Sequence, residues 1–267
     1  MSTLLWIIIA TTAGGILSAL VASTFLLFSE NTRKRLLPHL VSFAVGALIG
    51  ASLLGLVPHA LEMAGSEQVH TIGLWVAAGV LLFFILEKAV IWRHCHADDC
   101  EAHAPGQESA SHSHNHLPEM SAGPLVLVGD GIHNFVDGLL IGAAFLTDIH
   151  LGIVTALAVI AHEIPQEVGD VAVLLNGGFS RMKSFTWNML VGFTTPLGGL
   201  AAWFVLEETQ ALLPGVLALA AGSFLYVAVA DLMPGLHRRT KLSDSLLQVV
   251  FIAGGLLLIL FSHSTLH

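Results

Sequence analysis

Apolar, almost uncharged runs recur along the chain at residues 4–28, 36–61, 69–92, 121–147, 149–177, 184–206, 211–231 and 245–262. Crossing a hydrocarbon core of about 30 Å takes a helix of about 20 residues, and each run is close to that length or longer. Alternating segments of strand length are absent, so the pattern predicts helices and not a β-barrel. The expected fold is an all-α integral membrane protein of eight transmembrane helices, with residues 1–267 forming a single domain. The first run has no basic stretch ahead of it and no small-residue cleavage site before Arg33, so it reads as a span and not as a secretory leader.

Composition narrows the class. The 267 residues are 55% hydrophobic and 11% charged, with a mean hydropathy of +0.80. A soluble domain carries roughly 25% charged residues. This chain cannot build a water-facing surface, so its surroundings are a lipid bilayer, and no nucleic-acid partner is expected.

The ten basic residues orient the spans. Arg33, Lys34 and Arg35 follow the first run, Lys88 and Arg93 close the third, Arg181 and Lys183 follow the fifth, and Arg238, Arg239 and Lys241 follow the seventh. With eight crossings all of them fall at one end, which the positive-inside rule assigns to the cytoplasm. The loops at the other end carry Glu62, Glu67, Asp148, Glu207 and Glu208 and no Lys or Arg. Both termini are therefore expected outside the cytoplasm. A bacterial inner membrane suits the short N-terminus, and an organellar membrane would show the same charge pattern. Leu56-Val57-Pro58 and Leu232-Met233-Pro234 lie near the ends of runs two and seven, which cross in opposite directions. They hint at an inverted repeat, three spans on each side of a central pair.

The long polar loop, residues 93–120, holds His94, Cys95, His96, Cys100, His103, His112, His114 and His116 among Ser and acidic residues. Its low apolar content predicts disorder. In a reducing cytoplasm its thiols and imidazoles suit metal capture better than a disulfide.

Chemistry concentrates in runs four and five. The fourth reads Gly129-Asp130-Gly131-Ile132-His133-Asn134-Phe135-Val136-Asp137-Gly138, the fifth His162-Glu163-Ile164-Pro165-Gln166-Glu167-Val168-Gly169-Asp170. Five carboxylates thus lie at membrane depth without a Lys or Arg in the middle of any span. At about 2.5–3.5 kcal/mol for each unpaired charge near the bilayer centre they would cost on the order of 15 kcal/mol. Bound cations, protons or water must supply the counter-charge. His133 and Asp137 share a helical face beside Asn134, His162 and Gln166 share another, and Glu163, Glu167 and Asp170 step along the adjoining one. Pro165 is expected to open the helix locally beside them. Mixed imidazole, carboxylate and amide donors suit Zn²⁺, Fe²⁺ or Mn²⁺ better than Ca²⁺ or Mg²⁺, and Cd²⁺ would fit the same set. The metal is cargo, and no organic cofactor is expected. His59, Glu62, Asp130, Asp170, Thr195 and Asp231 are candidate relay points along a path.

The strings HNFVDG (133–138), HEIPQEVGD (162–170), LYVAVADLMP (225–234) and VPHALE (57–62) resemble the ZIP family of divalent metal transporters, specifically its LIV-1 branch. The resemblance covers essentially the whole chain. It implies a metal site, often binuclear, in spans four and five, with ligands at His133, Asn134, Asp137, His162, Glu163 and position 166 and with Glu167 nearby. It also implies a homodimer, and an elevator-like movement of a bundle containing spans four and five against a scaffold containing two and seven. One departure stands inside the motif. The branch reads HExPHE, and here Gln166 replaces the second His, which should weaken a soft-metal site. Some relatives add a carboxylate from span six, where this chain's counterpart is Thr195.

Two further readings use the same residues. His162-Glu163 opens like the HExxH of a metalloprotease, but Gln166 stands where the second His is required and Pro165 sits inside the turn. A membrane metal sensor would bind without net flux. Transport toward the cytoplasm, not catalysis, is the leading expectation.

Overall fold

The computed structural model describes residues 2–25, 27–94, 122–238 and 241–266. Among them, eight helices are long and apolar enough to cross a membrane: Thr3–Phe25, Asn31–Ala64, Ser66–Lys88, Val126–Thr147, Ile149–Leu175, Arg181–Leu206, Gln210–His237 and Leu242–Ser262. They are the first to eighth spans below. No strand occurs among the described residues. His94 ends the helix of the third span, while Cys95, His96, Cys100, His103, His112, His114 and His116 lie outside the described residues.

Short polar caps separate the helices. Asp148 alone joins the fourth and fifth spans, and its Oδ1 accepts from the N–H groups of His150 at 2.8 Å and Leu151 at 3.0 Å. Burial works against its ionisation, but the Leu151 and His150 N–H bonds win and hold its carboxyl below the usual carboxylate range. Pro165 does not break the fifth span, whose helix runs continuously over Ile149–Asn176. The ring removes one donor, and the turns around it stay wound inside the packed bundle.

The hinted repeat reappears in the backbone. In the second span Ala51–Leu56 is wound as a π-helix just before Pro58, and in the seventh Val227–Leu232 is wound the same way just before Pro234. Packing follows the same exchange of spans. The second lies along the eighth as the seventh lies along the third, and the fourth lies along the sixth as the fifth lies along the first.

Glycine is the instrument of this packing, because without a Cβ two backbones can touch. A Cβ on Gly46 would strike the carbonyl oxygen of Ile252, and one on Gly255 would strike that of Phe43. Gly222 meets the Val76 carbonyl and Gly79 that of Leu219 in the same manner. In every case the carbonyl belongs to the residue three positions before the partner glycine. Gly138 against Thr195 and Gly198 against Phe135 repeat the device between spans four and six, and Gly15 against Gly192 between one and six.

These backbone contacts join the first and fourth spans to the sixth, the second to the eighth and the third to the seventh. The remaining packing of the fifth span on the first and fourth and of the seventh on the second completes two bundles, one of spans one, four, five and six and one of spans two, three, seven and eight. Across the seam side chains meet instead. A Cβ on Gly55 would sit 3.3 Å from Leu151 Cδ1 and 3.5 Å from Val154 Cγ1.

Candidate metal centre

Spans four and five are held side by side by the single-residue link at Asp148, which brings their polar faces together halfway along each helix. His162 Nε2 lies 3.0 Å from Asp137 Oδ2 and 3.6 Å from Glu163 Oε1, and His133 Nε2 lies 3.7 Å and 3.4 Å from the same two oxygens. The two Nε2 atoms are 3.4 Å apart. A tetrahedral ion bound at about 2.0–2.2 Å spaces its ligands by roughly 3.3–3.6 Å, so these separations are already close to the edges of a zinc tetrahedron. All four ligand atoms lie within 4.8 Å of one another, and Asp137, His162 and Glu163 are buried. His162 Nδ1 is 3.0 Å from the Ala158 carbonyl. Donation to that carbonyl puts the proton on Nδ1 and turns the Nε2 lone pair toward the other three. Two neutral imidazoles and two carboxylates carry a charge of −2, which a divalent cation cancels.

The remaining candidates are placed apart from this quartet. Asn134 is fully buried and engaged at both ends of its amide. Its Nδ2 donates to Asp130 Oδ1 at 3.0 Å, and its Oδ1 accepts from Thr195 Oγ1 at 2.7 Å. Gln166 lines a cavity, with its Oε1 buried and unpartnered. Glu167, one turn beyond Glu163, is fully buried and faces Asn188 of the sixth span. His59 is buried near the end of the second span, its Nδ1 2.9 Å from the Gly55 carbonyl, and Glu62 is exposed.

The cavity, of about 410 Å³, reaches His133 and Pro165 from an entrance lined by Glu87, Asp231 and Tyr226. Asp130 and Asp170 also line it. Glu87 and Asp231 are exposed and His133 is only 15% so, and the entrance lies at the end where the basic residues cluster. Toward the opposite end the quartet gives way to buried apolar packing that includes Leu56, Ile141, Ala144, Leu151 and Val154.

The family model described as "ZIP Zinc transporter" matches residues 2–124 and 93–263. The chain belongs to the ZIP zinc transporter family. Zinc transporter ZIP13 of Pongo abelii is 34% identical over 246 residues, covering 85% of this chain and 67% of the relative. Zinc transporter SLC39A7 of Rattus norvegicus is 31% identical over 319 residues, covering 88% and 67%. The zinc transporter ZIP13 homolog of Drosophila melanogaster is 29% identical over 291 residues, covering 88% and 81%.

Three polar features of this ZIP chain escape a reading by motif. Ser184 and Asn188 of the sixth span are fully buried, Asn188 beside Glu167, and the Tyr226 hydroxyl donates to Glu87 Oε2 at 2.5 Å at the cavity entrance. Ser184 and Asn188 do lie four residues apart on one helical face, which was the available signal. Tyr226 is the only tyrosine in the chain, and nothing in its neighbourhood marks Glu87 as its partner.

Proposed function

We propose that this protein carries Zn²⁺ across a membrane toward the cytoplasm, with Fe²⁺ and Mn²⁺ as secondary cargo. The observation that carries the reading is the convergence of His133, Asp137, His162 and Glu163, from two neighbouring spans, at spacings close to zinc tetrahedron edges. A −2 donor set at membrane depth is stabilised by the ion it binds, so cargo and site are matched in charge. The basic end faces the cytoplasm by the positive-inside rule, with both termini on the other side. The acidic cavity at that end is then the release route, and the described conformation is inward-open. Asp130, Asp170 and Asp231 draw the ion along it.

Alternating access follows from the two bundles. Glycine-mediated backbone contacts tie pairs of helices within each one, while the seam at Gly55, Leu151 and Val154 is made of side chains. The bundle holding spans four and five slides along the other as an elevator and takes the quartet with it. Asn134, Gln166 and Glu167 surround the ion's path and tune it, and the transporter works as a homodimer. A protease reading lacks its second histidine, since Gln166 stands at that position, and we assign no catalytic role.

Uptake of radioactive zinc into proteoliposomes tests the reading. Asp137→Ala and His162→Ala are expected to abolish it, whereas uptake unaffected by both removes the quartet from the path. Binding without accumulation in the wild-type chain would make it a sensor.

A further inference from the structure

A second group of polar atoms in the bundle of spans one, four, five and six lacks partners. Glu167 is fully buried, and neither carboxylate oxygen has a hydrogen-bond partner. Ser184 and Asn188 share one face of the helix Arg181–Gly192, and both are fully buried. Ser184 Oγ and both amide atoms of Asn188 are unpartnered. The amide of Asn188 and the carboxylates of Asp130, Glu163 and Asp170 are the groups that face Glu167. Asp130, 6% exposed, accepts from Asn134 Nδ2 at its Oδ1 and leaves Oδ2 unpartnered. Along the two helices the neighbours are apolar: Val168 packs with Ala22 and Phe25, and Val191 with Leu127 and Leu174.

Leaving a buried polar atom unpaired costs about 1–3 kcal/mol, and a charged one costs more. Glu167 faces Asp130 of the fourth span and Asn188 of the sixth, and Ser184 lies one turn from Asn188 on the same helical face, so orphaned atoms on three helices can be satisfied by one joint partner. A cation serves as that partner for all of them at once, because two of the four residues are acidic and no Lys or Arg lies near the middle of any span.

We propose that Asp130, Glu167, Ser184 and Asn188 form an auxiliary divalent-cation site, one to two helical turns from the His-containing quartet toward the basic end. Asp130 and Glu167 supply a charge of −2, so an ion here is neutralised independently of one held by Asp137 and Glu163. All its donors are oxygens, which favours a harder ion such as Mn²⁺ over Zn²⁺, the reverse of the quartet. The site is built within one bundle, so its ion moves with that bundle. Asn134, whose amide oxygen accepts from Thr195, donates to Asp130 and fixes one of its oxygens.

The inference stands apart from the transport reading, because binding is measured without flux. The full chain in detergent micelles is titrated with Mn²⁺ and followed by electron paramagnetic resonance. His162→Ala, which disables the quartet, is expected to retain one bound Mn²⁺. Glu167→Gln or Asn188→Leu added to it is expected to weaken that binding by roughly tenfold or more. Asn188→Asp, which adds a negative donor, is expected to tighten it, a gain that a purely packing role would not produce. Zinc retained on two imidazoles in the single variants Glu167→Gln and Asn188→Leu, seen by X-ray absorption, shows that they fold. Loss of all Mn²⁺ in His162→Ala, or Mn²⁺ affinity indifferent to Glu167→Gln and Asn188→Asp, overturns the proposal and leaves water or a Glu167–Asn188 hydrogen bond to satisfy these atoms.

Discussion

Two glycines of the second span, nine residues apart, are expected to respond to the same substitution in opposite ways. A Cβ on Gly46 would drive into the carbonyl oxygen of Ile252, and backbone cannot turn aside as a side chain can. To accept Gly46→Ala the second and eighth spans must move apart by roughly 1 Å, which forfeits up to half the dispersion attraction of each contacting pair. Overpacking of this kind costs about 1–3 kcal/mol, and the better helix propensity of Ala returns up to about 1 kcal/mol. The net loss is about 1–2 kcal/mol, or a fall in melting temperature of roughly 2–8 °C. Gly222→Ala, its counterpart against the Val76 carbonyl, should behave alike. Gly55→Ala instead places its Cβ at 3.3 Å and 3.5 Å from the ends of Leu151 and Val154, both of which can shift. Its stability should stay near wild type, but the added methyl would roughen the seam along which the proposed elevator movement runs. A barrier raised by about 1 kcal/mol slows zinc uptake roughly fivefold.

Melting in micelles, followed by tryptophan fluorescence, and zinc uptake by proteoliposomes read the two effects separately. If Gly55→Ala lowers the melting temperature as far as Gly46→Ala does, the seam is no softer than the bundle interiors. If Gly46→Ala leaves stability untouched, the glycine contacts do not hold the bundles together. Either result refutes the two-body reasoning.

Removing the Asp148 cap with Asp148→Ala should cost about 1 kcal/mol at neutral pH. The folded Asp148 carboxyl lies below its unfolded value, so its stabilisation is complete above about pH 4 and is lost as pH falls through the folded value. Melting curves of the two proteins should therefore converge in acid, and a gap that persists there excludes the charged cap. Thr195→Val removes the 2.7 Å bond to Asn134 and leaves a buried amide oxygen unpaired, a loss of about 1–3 kcal/mol readable in the melting temperature. The number of zinc ions bound by the quartet should not change. Gln166→His returns an imidazole to the cavity wall and is expected to lower the KM for zinc uptake. An unchanged or higher KM would place position 166 away from the ion's path.

The helix count and class were legible in the sequence because lipid imposes one rule on every span, and eight long uncharged runs obey it without reference to one another. The quartet was nearly as legible. His133 with Asp137 could be paired from helical spacing and His162 adjoins Glu163, and no other neighbouring runs carried so many such residues near their middles. What local spacing does not carry is the identity of the neighbour across a helix interface. Glu163 and Glu167 sit one turn apart on a shared face, yet the first meets His133 while the second meets Asn188, a division made by how the sixth span crosses the fifth. Asn134 lies beside His133 on its helix, and it is the same crossing that brings Thr195 to its oxygen. The glycines were opaque for the same reason, since Gly46 is one of 26 and gains meaning only when Ile252 lies against it. The two Pro-containing strings survived as a trace of the repeat because Pro acts on its own helix. Features that work within one helix can be read along the chain, whereas those that work between helices wait for the packing, and in this protein the second kind decides which carboxylates face the two imidazoles.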